Sequence, residues 1–209
     1  MYAPQDDTSL LSAALREEPL VPGARVLDLG TGTGALAVAA ARRGARVTAV
    51  DTSARAALTC RLNARLSGVR VRVLRGDLLT PVTGRAYDLI MSNPPYVPSP
   101  QPRPPRRGPG RAWEAGRDGR ALLDRICAEA PLRLRPGGAL LLVHSALSGV
   151  APTLDALVAA GLDAEVTDRR FVPFGPRLRE RVGWLRARGL LAEGEDKEEL
   201  VVIRAERAV

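Results

Sequence analysis

The segment Asn-Pro-Pro-Tyr at residues 93–96 carries the most specific chemistry in this chain. It follows the hydrophobic run Tyr87–Ser92, which predicts a buried strand. Ligands of open α/β sheets bind beyond the carboxyl ends of the strands, where this segment is expected to lie. The two prolines stiffen the loop and leave its carbonyls free to accept hydrogen bonds. The Asn93 side-chain oxygen and the Pro94 carbonyl can then accept from one planar NH2 group, with Tyr96 stacked on its flat face.

Such a loop suits either a carboxamide or the exocyclic amine of a nucleobase. The same four residues, taken alone, are typical of a turn with an asparagine cap. A glycine-rich segment upstream favours the ligand-binding interpretation.

That segment has the pattern G-x-G-x-G, formed by Gly30, Gly32 and Gly34 after an apolar strand. Glycines let a backbone approach a ligand closely, and the small-residue helix that follows presents free N–H groups at its N-terminus. Asp51 ends the next predicted strand, residues 46–50. A carboxylate about 20 residues beyond the glycines suits hydrogen bonds to ribose hydroxyls.

Dinucleotides and S-adenosylmethionine both bind to this arrangement, and the carboxylate of Asp28 indicates which of the two cofactors is favoured. The dinucleotide pattern is G-x-G-x-x-G with a pyrophosphate on the helix N-terminus. A carboxylate directly before the turn would repel a pyrophosphate, but it suits the cationic methionine part of S-adenosylmethionine. Asp77 follows the predicted strand at residues 69–74 and can accept from the adenine amino group, with Leu78 against the ring. The pattern therefore predicts S-adenosylmethionine.

The order and spacing of these motifs resemble those of the HemK/PrmC-type protein glutamine methyltransferases. The segment at residues 2–11, Tyr-Ala-Pro-Gln-Asp-Asp-Thr-Ser-Leu-Leu, is similar to the start of the short branch, typified by eukaryal and archaeal release-factor methyltransferases. Residues 112–120 also match that branch. The resemblance implies a class I S-adenosylmethionine-dependent fold: α/β, with a doubly wound, mostly parallel seven-stranded sheet whose last strand is inserted antiparallel.

The resemblance also implies roles for individual residues, and Thr8 is expected to touch the cofactor. The candidate catalytic residues are Asn93, Pro94, Pro95 and Tyr96. The candidate cofactor-binding residues are Thr8, Asp28, Gly30, Gly32, Gly34, Asp51, Asp77, Leu78 and Asn93. No metal site is expected, since two cysteines and one histidine provide no zinc-ligand spacing.

Several features depart from the family pattern. Asp6 stands where glutamate is usual, and Ala115 stands where a second glycine is usual. The loop at residues 98–111 is unusually rich in proline and arginine, and residues 98–107 can also form a polyproline II ligand for a partner domain. Only about two dozen residues precede the glycine-rich segment, which begins with its strand at Val26. The helical N-terminal domain with which the long branch grips release factors is therefore expected to be absent.

Length and composition predict a single methyltransferase domain over residues 1–209, with the loop at 98–111 inside it. Hydrophobic residues make up 45% of the chain, which excludes general disorder, and no apolar run reaches membrane-spanning length. We therefore expect a cytoplasmic protein without a membrane partner. The net charge of +8 is compatible with nucleic acid or with a position near the ribosome.

Two substrates remain open, because both present a planar NH2 group. The first is a glutamine in the Gly-Gly-Gln loop of a peptide-chain release factor. The alternative is adenine, methylated at N6 in DNA or RNA, but a duplex substrate requires base flipping and normally extra recognition structure, for which no spare domain is expected. The resemblance further implies a small activator subunit that covers an apolar edge.

Four local expectations concern the remainder of the chain. Leu58, Leu62 and Leu66 form one helical stripe. Asp118 is placed to cap the helix that follows it. His144 is expected to follow a strand in a structural role. The acidic run at residues 193–199 is expected in a loop before the last strand, at the far end from the site.

Overall fold

The computed structural model describes residues 5–105 and 108–209. Residues 2–4 of the N-terminal motif, and Arg106 and Arg107 of the proline- and arginine-rich loop, lie outside the described residues. The strands are β1 (Arg25–Leu29), β2 (Arg46–Asp51), β3 (Val71–Arg75), β4 (Tyr87–Ser92), β5 (Leu134–Ser145), β6 (Leu162–Pro173) and β7 (Lys197–Arg207). The helices are α1 (Asp6–Glu17), α2 (Ala35–Arg42), α3 (Ala54–Leu66), α4 (Leu123–Glu129), α5 (Val150–Ala159), α6 (Pro176–Arg179) and α7 (Val182–Ala187).

The seven strands form one sheet in the order β3-β2-β1-β4-β5-β7-β6. Strands β1 to β5 pair in parallel, whereas β7 is antiparallel to both of its neighbours, β5 and β6. This is the class I methyltransferase order, so the predicted fold class is confirmed. One consequence matters for the site: β7 begins at the edge of the sheet where β1, β2 and β4 end.

The central strands are predominantly apolar because both of their faces are covered. In β4, Leu89, Ile90 and Met91 are at most 2% exposed. Strand β1 places Val26, Leu27 and Leu29 in the same core. These strands hold Asn93 and the glycines at a rigid edge, and the predicted bounds Tyr87–Ser92 match the observed strand.

The predicted helix at α3 is present, but its leucine stripe does not form the core. Leu58, Leu62 and Leu66 are 56%, 53% and 85% exposed. The buried face instead consists of small residues, namely Ala56, Ala57, Cys60 and Ala64. Small side chains are needed there because the helix lies directly under the glycine turn: a Cβ added to Gly34 would lie 2.6 Å from the Cys60 sulfur.

Two further expectations are wrong in detail. The Asp118 carboxylate accepts from the backbone N–H of Arg120 at 3.0 Å, and α4 begins at Leu123 without a side-chain cap. His144 lies inside β5, fully buried, with its Nδ1 2.8 Å from the Ser145 carbonyl oxygen. Burial lowers the pKa of His144 to about 4, so the ring is neutral near pH 7.

Positive charge is concentrated at the opposite edge of the sheet from residues 93–96. A groove of about 990 Å³ there is lined by Arg25, Arg46, Arg61, Arg65, Arg70, Arg72, Arg85 and Arg135. The salt bridge between Arg135 and Asp88, at 2.9 Å, neutralises one of these side chains. A strongly basic groove therefore lies at the amino edge of the sheet, away from the candidate catalytic residues 93–96.

None of the helices in the described residues is long and apolar enough to span a membrane.

Candidate active site

Residues 93–96, the candidate catalytic loop, line a cavity of about 410 Å³ at the carboxyl edge of the sheet. The other walls come from the start of α1, from Trp113, from residues 175–180 and from Glu198 on β7. The size lies within the range of small-ligand pockets and suits a side chain of a larger substrate.

The first turn of α1 holds the catalytic loop through two side-chain hydrogen bonds. The Asn93 amide nitrogen donates to the Thr8 hydroxyl at 3.2 Å, and the Tyr96 hydroxyl donates to Asp7 Oδ2 at 3.1 Å. Asp7 is buried, and its other oxygen accepts from the Thr8 backbone N–H. The amide nitrogen of Asn93 can only donate, and its bond to Thr8 fixes the orientation of the side chain. Asn93 Oδ1 is therefore the atom that can accept from a ligand.

Residues 113–120, the supporting segment, form backbone hydrogen bonds with Val97, the residue that directly follows the catalytic loop. The Val97 N–H donates to the Trp113 carbonyl at 2.7 Å, and the Ala115 N–H donates to the Val97 carbonyl at 3.1 Å. The Ser148 hydroxyl donates to the Tyr96 carbonyl at 2.6 Å. Ala115 has no left-handed backbone, since Leu78 is the one non-glycine residue with positive φ in the described chain. The missing glycine at position 115 therefore causes no strain.

The glycine loop, residues 30–34, has a left-handed backbone at each glycine, with φ of 70°, 55° and 84° at Gly30, Gly32 and Gly34. Within this loop the Gly32 N–H donates to Asp51 Oδ2 at 3.0 Å, and the other oxygen of Asp51 accepts from the backbone N–H of Ser53 at 2.8 Å. A Cβ on Gly30 would lie 3.8 Å from the Asn93 carbonyl oxygen. The glycine loop and the catalytic loop are thus neighbours, as the motif order predicts.

Asp28 is a buried carboxylate with one unsatisfied oxygen. Its Oδ2 accepts from the Thr31 hydroxyl at 2.6 Å, and its Oδ1 has no hydrogen-bond partner in the described residues. Burial raises the pKa of Asp28 to about 6, although the Thr31 bond opposes the shift. An orphaned carboxylate oxygen beside a glycine turn fits a cationic ligand group, such as the ammonium of S-adenosylmethionine.

The expected adenine-binding pair, Asp77 and Leu78, shows two unusual features. Asp77 forms a two-pronged ion pair with Arg125 of α4, at 3.0 and 3.2 Å. Leu78 is buried with a left-handed backbone, φ 42°, a strained conformation of the kind that concentrates at functional sites. The contact of Asp77 with adenine stays a prediction, and it would add a partner to a carboxylate already paired.

The loop at residues 98–111 is tied down at both ends near the site. Arg111 donates to the Thr52 hydroxyl at 2.8 Å, directly beside Asp51. Arg181 donates to the Pro98 carbonyl at 3.0 Å and forms an ion pair with Glu114. One end of the loop therefore lies near the cavity and the other near Asp51, the predicted ribose-binding residue.

Two residues in the site were missed by the sequence patterns. Asp7 belongs to the N-terminal motif, yet its contact with Tyr96 spans 89 positions of sequence and no local periodicity indicates it. Glu198 belongs to the acidic run expected at the far end, and that expectation is wrong. Because β7 is antiparallel, its first residues enter the sheet beside the catalytic loop, and Glu198 lines the pocket.

Comparison with known proteins agrees with this geometry. A family model described as the methyltransferase small domain matches residues 5–102. A protein of Methanocaldococcus jannaschii, whose name assigns it to the protein N5-glutamine methyltransferases, is 34% identical over 83% of this chain and 87% of its own length. This chain belongs to the protein N5-glutamine methyltransferase family. The release factor glutamine methyltransferase of Deinococcus radiodurans is 45% identical over 78% of this chain, which spans 60% of that protein.

Solved structures show the same fold. The E. cuniculi Mtq2-Trm112 complex, described as responsible for methylation of the termination factor eRF1, matches 99% of this chain and 98% of that chain, with 24% identity and a TM-score of 0.68. The T. thermophilus 16S rRNA methyltransferase RsmC, solved with S-adenosylmethionine and guanosine, matches 98% of this chain and 44% of that chain at a TM-score of 0.66. Like its family, this methyltransferase uses S-adenosylmethionine as methyl donor.

Cofactor affinity is expected to depend on pH through Asp28. The carboxylate form attracts the cationic methionine part, and with a pKa of about 6 it becomes protonated as the pH falls below 6. We therefore expect the affinity to be lost progressively as the pH falls from 7 to 5. Calorimetric titration with S-adenosylmethionine measures this. Asp28→Asn should bind weakly at every pH, and an equally steep pH dependence in that variant would contradict the role of Asp28.

Proposed function

We propose that the protein methylates the side-chain amide nitrogen of a glutamine in the Gly-Gly-Gln loop of a peptide-chain release factor. The observation that carries the proposal is the Asn93 amide, whose nitrogen is held by Thr8 and whose oxygen remains as an acceptor at the pocket. The name of the Deinococcus radiodurans relative supports a release factor as substrate, and that of the Methanocaldococcus jannaschii relative supports a protein glutamine. A glutamine preceded by two glycines also suits entry into this cavity, because those two residues have no side chains to exclude.

The cofactor residues fit S-adenosylmethionine, which supplies an electrophilic methyl group when bound. Asp28 would hold the ammonium, the glycine loop the methionine part, and Asp51 the ribose hydroxyls. Leu78 would contact the adenine ring, and Asp77 would accept from its amino group. Each assignment uses a group that lies at the carboxyl edge of the sheet in the fold.

The catalytic loop would act by orienting a poor nucleophile. An amide nitrogen shares its lone pair with the carbonyl, so it reacts only when it is held in line with the methyl group. Asn93 Oδ1 and the Pro94 carbonyl would accept its two hydrogens, which removes orientational freedom before reaction. As the nitrogen attacks, it becomes positive and both hydrogen bonds strengthen, so the stabilisation is specific to the transition state. Tyr96, held by Asp7, would support the flat face of the amide.

Adenine remains the second candidate because the same two acceptors suit its amino group. The two substrates are separated by one comparison, in which the enzyme receives labelled S-adenosylmethionine with a release factor, a DNA oligonucleotide or an RNA oligonucleotide. We expect label on a glutamine peptide of the release factor. Label in methyladenine, with none on protein, would establish the nucleic-acid substrate instead.

We also propose that a small activator subunit covers the exposed leucines of α3. Leu58 and Leu62 are more than half exposed, and the adjacent strand β3 is an unpaired edge of the sheet. Contiguous apolar surface and a free strand edge are typical of a protein interface. The E. cuniculi neighbour is a two-protein complex, which supports the proposal.

A leucine substitution tests this interface. Replacing Leu58 and Leu62 with aspartate is expected to abolish co-purification of a small partner from the native host while leaving the isolated chain folded, because both side chains face solvent. Val158→Asp, at another exposed apolar position on α5, is the matched control. Co-purification that is equal in all three proteins would contradict the proposed interface.

A further inference from the structure

Glu198 is an acidic residue buried in the wall of the substrate pocket. It is the second residue of β7 and lies opposite Val172 of β6. The residue is 8% exposed, and it lines the same cavity as Asn93 and Tyr96. Its position follows from the antiparallel insertion of β7, which brings this end of the strand to the catalytic edge.

No cation compensates this carboxylate within the described residues. Among the residues that the structure describes, Glu198 Oε1 has no hydrogen-bond partner and Glu198 forms no ion pair. The nearby charge on α1 is Asp7, which has the same sign, and Ser145 on β5 offers a neutral hydroxyl. Of the other charged pocket residues, Arg177 pairs with Glu180 at 3.3 Å. Burying such a group without a counter-charge costs stability, and arrangements of this kind concentrate at functional sites.

We propose that Glu198 is the proton acceptor of the methyl-transfer reaction, taking the surplus proton of the glutamine amide on Oε1. This inference rests on the proposed function. The amide nitrogen forms a bond to the methyl carbon, and the methyl–sulfur bond breaks with its electron pair left on sulfur. The nitrogen then bears one hydrogen too many. When that proton moves to the Glu198 carboxylate, the N–H electron pair returns to nitrogen, which yields a neutral N-methyl amide and a neutral carboxylic acid that releases its proton to solvent.

The environment makes the Glu198 carboxylate a stronger base, as a proton acceptor requires. Burial raises the pKa of Glu198 from 4.5 to about 7, although the Ser145 hydroxyl opposes the shift and the charge of Asp7 adds to it. A general base is most effective when its pKa lies near the working pH. The other buried candidates are less suitable. Asp7 is engaged by Tyr96 and Thr8, and His144, with a pKa of about 4, is a much weaker base.

The discriminating experiment compares Glu198→Gln with Glu199→Gln. Glutamine keeps the size and polarity of the side chain but cannot take a proton. Glu199, the next residue of β7, forms an ion pair with Arg169 at 2.7 Å and does not line the pocket, so it is the matched control. With a release factor as substrate, kcat of the wild type should fall as the pH drops below 7. In Glu198→Gln, kcat at pH 8 should be about a hundred-fold lower, since general-base catalysis is typically worth 10²–10⁴. The pH dependence near 7 should also disappear, while KM changes little.

A second measurement reads the carboxyl group itself, without catalysis. Infrared spectra of the free protein should show a carboxyl band that titrates near pH 7, in addition to the Asp28 band that titrates near pH 6. The band that titrates near pH 7 should persist in Glu199→Gln and vanish in Glu198→Gln. Thermal unfolding provides an independent test. Because folding raises the pKa of Glu198, the folded protein becomes less stable as the pH rises from 4.5 through 7, when the buried carboxyl loses its proton. A glutamine at this position stays neutral and avoids this loss of stability. Glu198→Gln should therefore unfold at a higher temperature than the wild type at pH 8, but not at pH 4.

The outcomes separate this inference from the proposed function. If the wild type methylates the release factor while Glu198→Gln retains its kcat and pH profile, Glu198 is not the proton acceptor. Absence of a wild-type carboxyl band that titrates near pH 7 would overturn it equally. If the glutamine variant fails to fold, Glu198→Asp, which retracts the carboxylate by one methylene, serves in its place, and unchanged kcat in that variant refutes the role. Failure of the wild type to methylate any release factor would instead refute the proposed substrate.

Discussion

Asn93→Ala is expected to lower kcat by about a hundred- to a thousand-fold, the usual cost of removing one preorganised polar contact to a transition state. The substitution deletes the Oδ1 acceptor and also frees the Thr8 hydroxyl, to which the Asn93 nitrogen donates at 3.2 Å. Cofactor affinity should change far less, because the side chain acts on the substrate amide. Single-turnover kinetics with labelled cofactor give the rate, and calorimetry gives the affinity.

Asn63→Ala provides the contrasting variant. The Asn63 side chain lies on α3 and donates to the Thr33 carbonyl at 2.9 Å, so it supports the glycine loop and not the catalytic loop. This variant should weaken cofactor binding while retaining kcat at saturating cofactor. If Asn93→Ala turned over at the wild-type rate, the proposed role of the catalytic loop would be untenable.

Gly119→Ala should reduce both stability and turnover, although residue 119 is predicted to touch no ligand. Gly119 has φ +73°, and an added Cβ would lie 2.6 Å from the Ser148 hydroxyl oxygen and would overlap the Tyr96 carbonyl oxygen. The backbone carbonyl of Tyr96 must therefore move, and the catalytic loop moves with it. Misplacement of a reacting group by about 1 Å can cost roughly a hundred-fold in rate.

Gly161→Ala is the control variant: it introduces the same backbone strain as Gly119→Ala, but without a steric clash. Gly161 has φ +83°, and nothing lies within 4 Å of an added Cβ. It should lose about 1–2 kcal/mol of stability, the cost of a left-handed backbone, with unchanged kcat. Chemical denaturation and steady-state kinetics of both variants provide the comparison. Equal effects on kcat would show that the supporting segment does not position the catalytic loop.

Much of this architecture follows from local patterns. The bounds of β4 and the glycine turn could be predicted because buried parallel strands are continuous apolar runs and tight turns require glycine. The buried face of α3 could not be predicted in this way. Leu58, Leu62 and Leu66 have helical spacing, but that spacing does not show whether they face the core or solvent. The deciding factor is the space under Gly34, where only a small residue such as Cys60 fits.

The site residues that could not be predicted from the sequence make contacts with residues far away along the chain. Asp7 and Tyr96 are far apart in sequence and meet because α1 packs against β5 with its first turn at the carboxyl edge of the sheet. Glu198 lies in an acidic run, a composition that ordinarily indicates a solvated loop. Only the antiparallel insertion of β7 reveals that this residue is buried beside Asn93.

The central claim is methylation of a release-factor glutamine, and peptide mapping tests it most directly. The release factor is incubated with the enzyme and S-adenosylmethionine, alongside Asn93→Ala as the catalytic control and a substrate whose Gly-Gly-Gln glutamine is replaced by alanine. We expect one methyl group on that glutamine with the wild-type enzyme, little with Asn93→Ala, and none on the altered substrate. A methyl group on another residue, or an unmodified release factor together with methylated nucleic acid, would contradict this account.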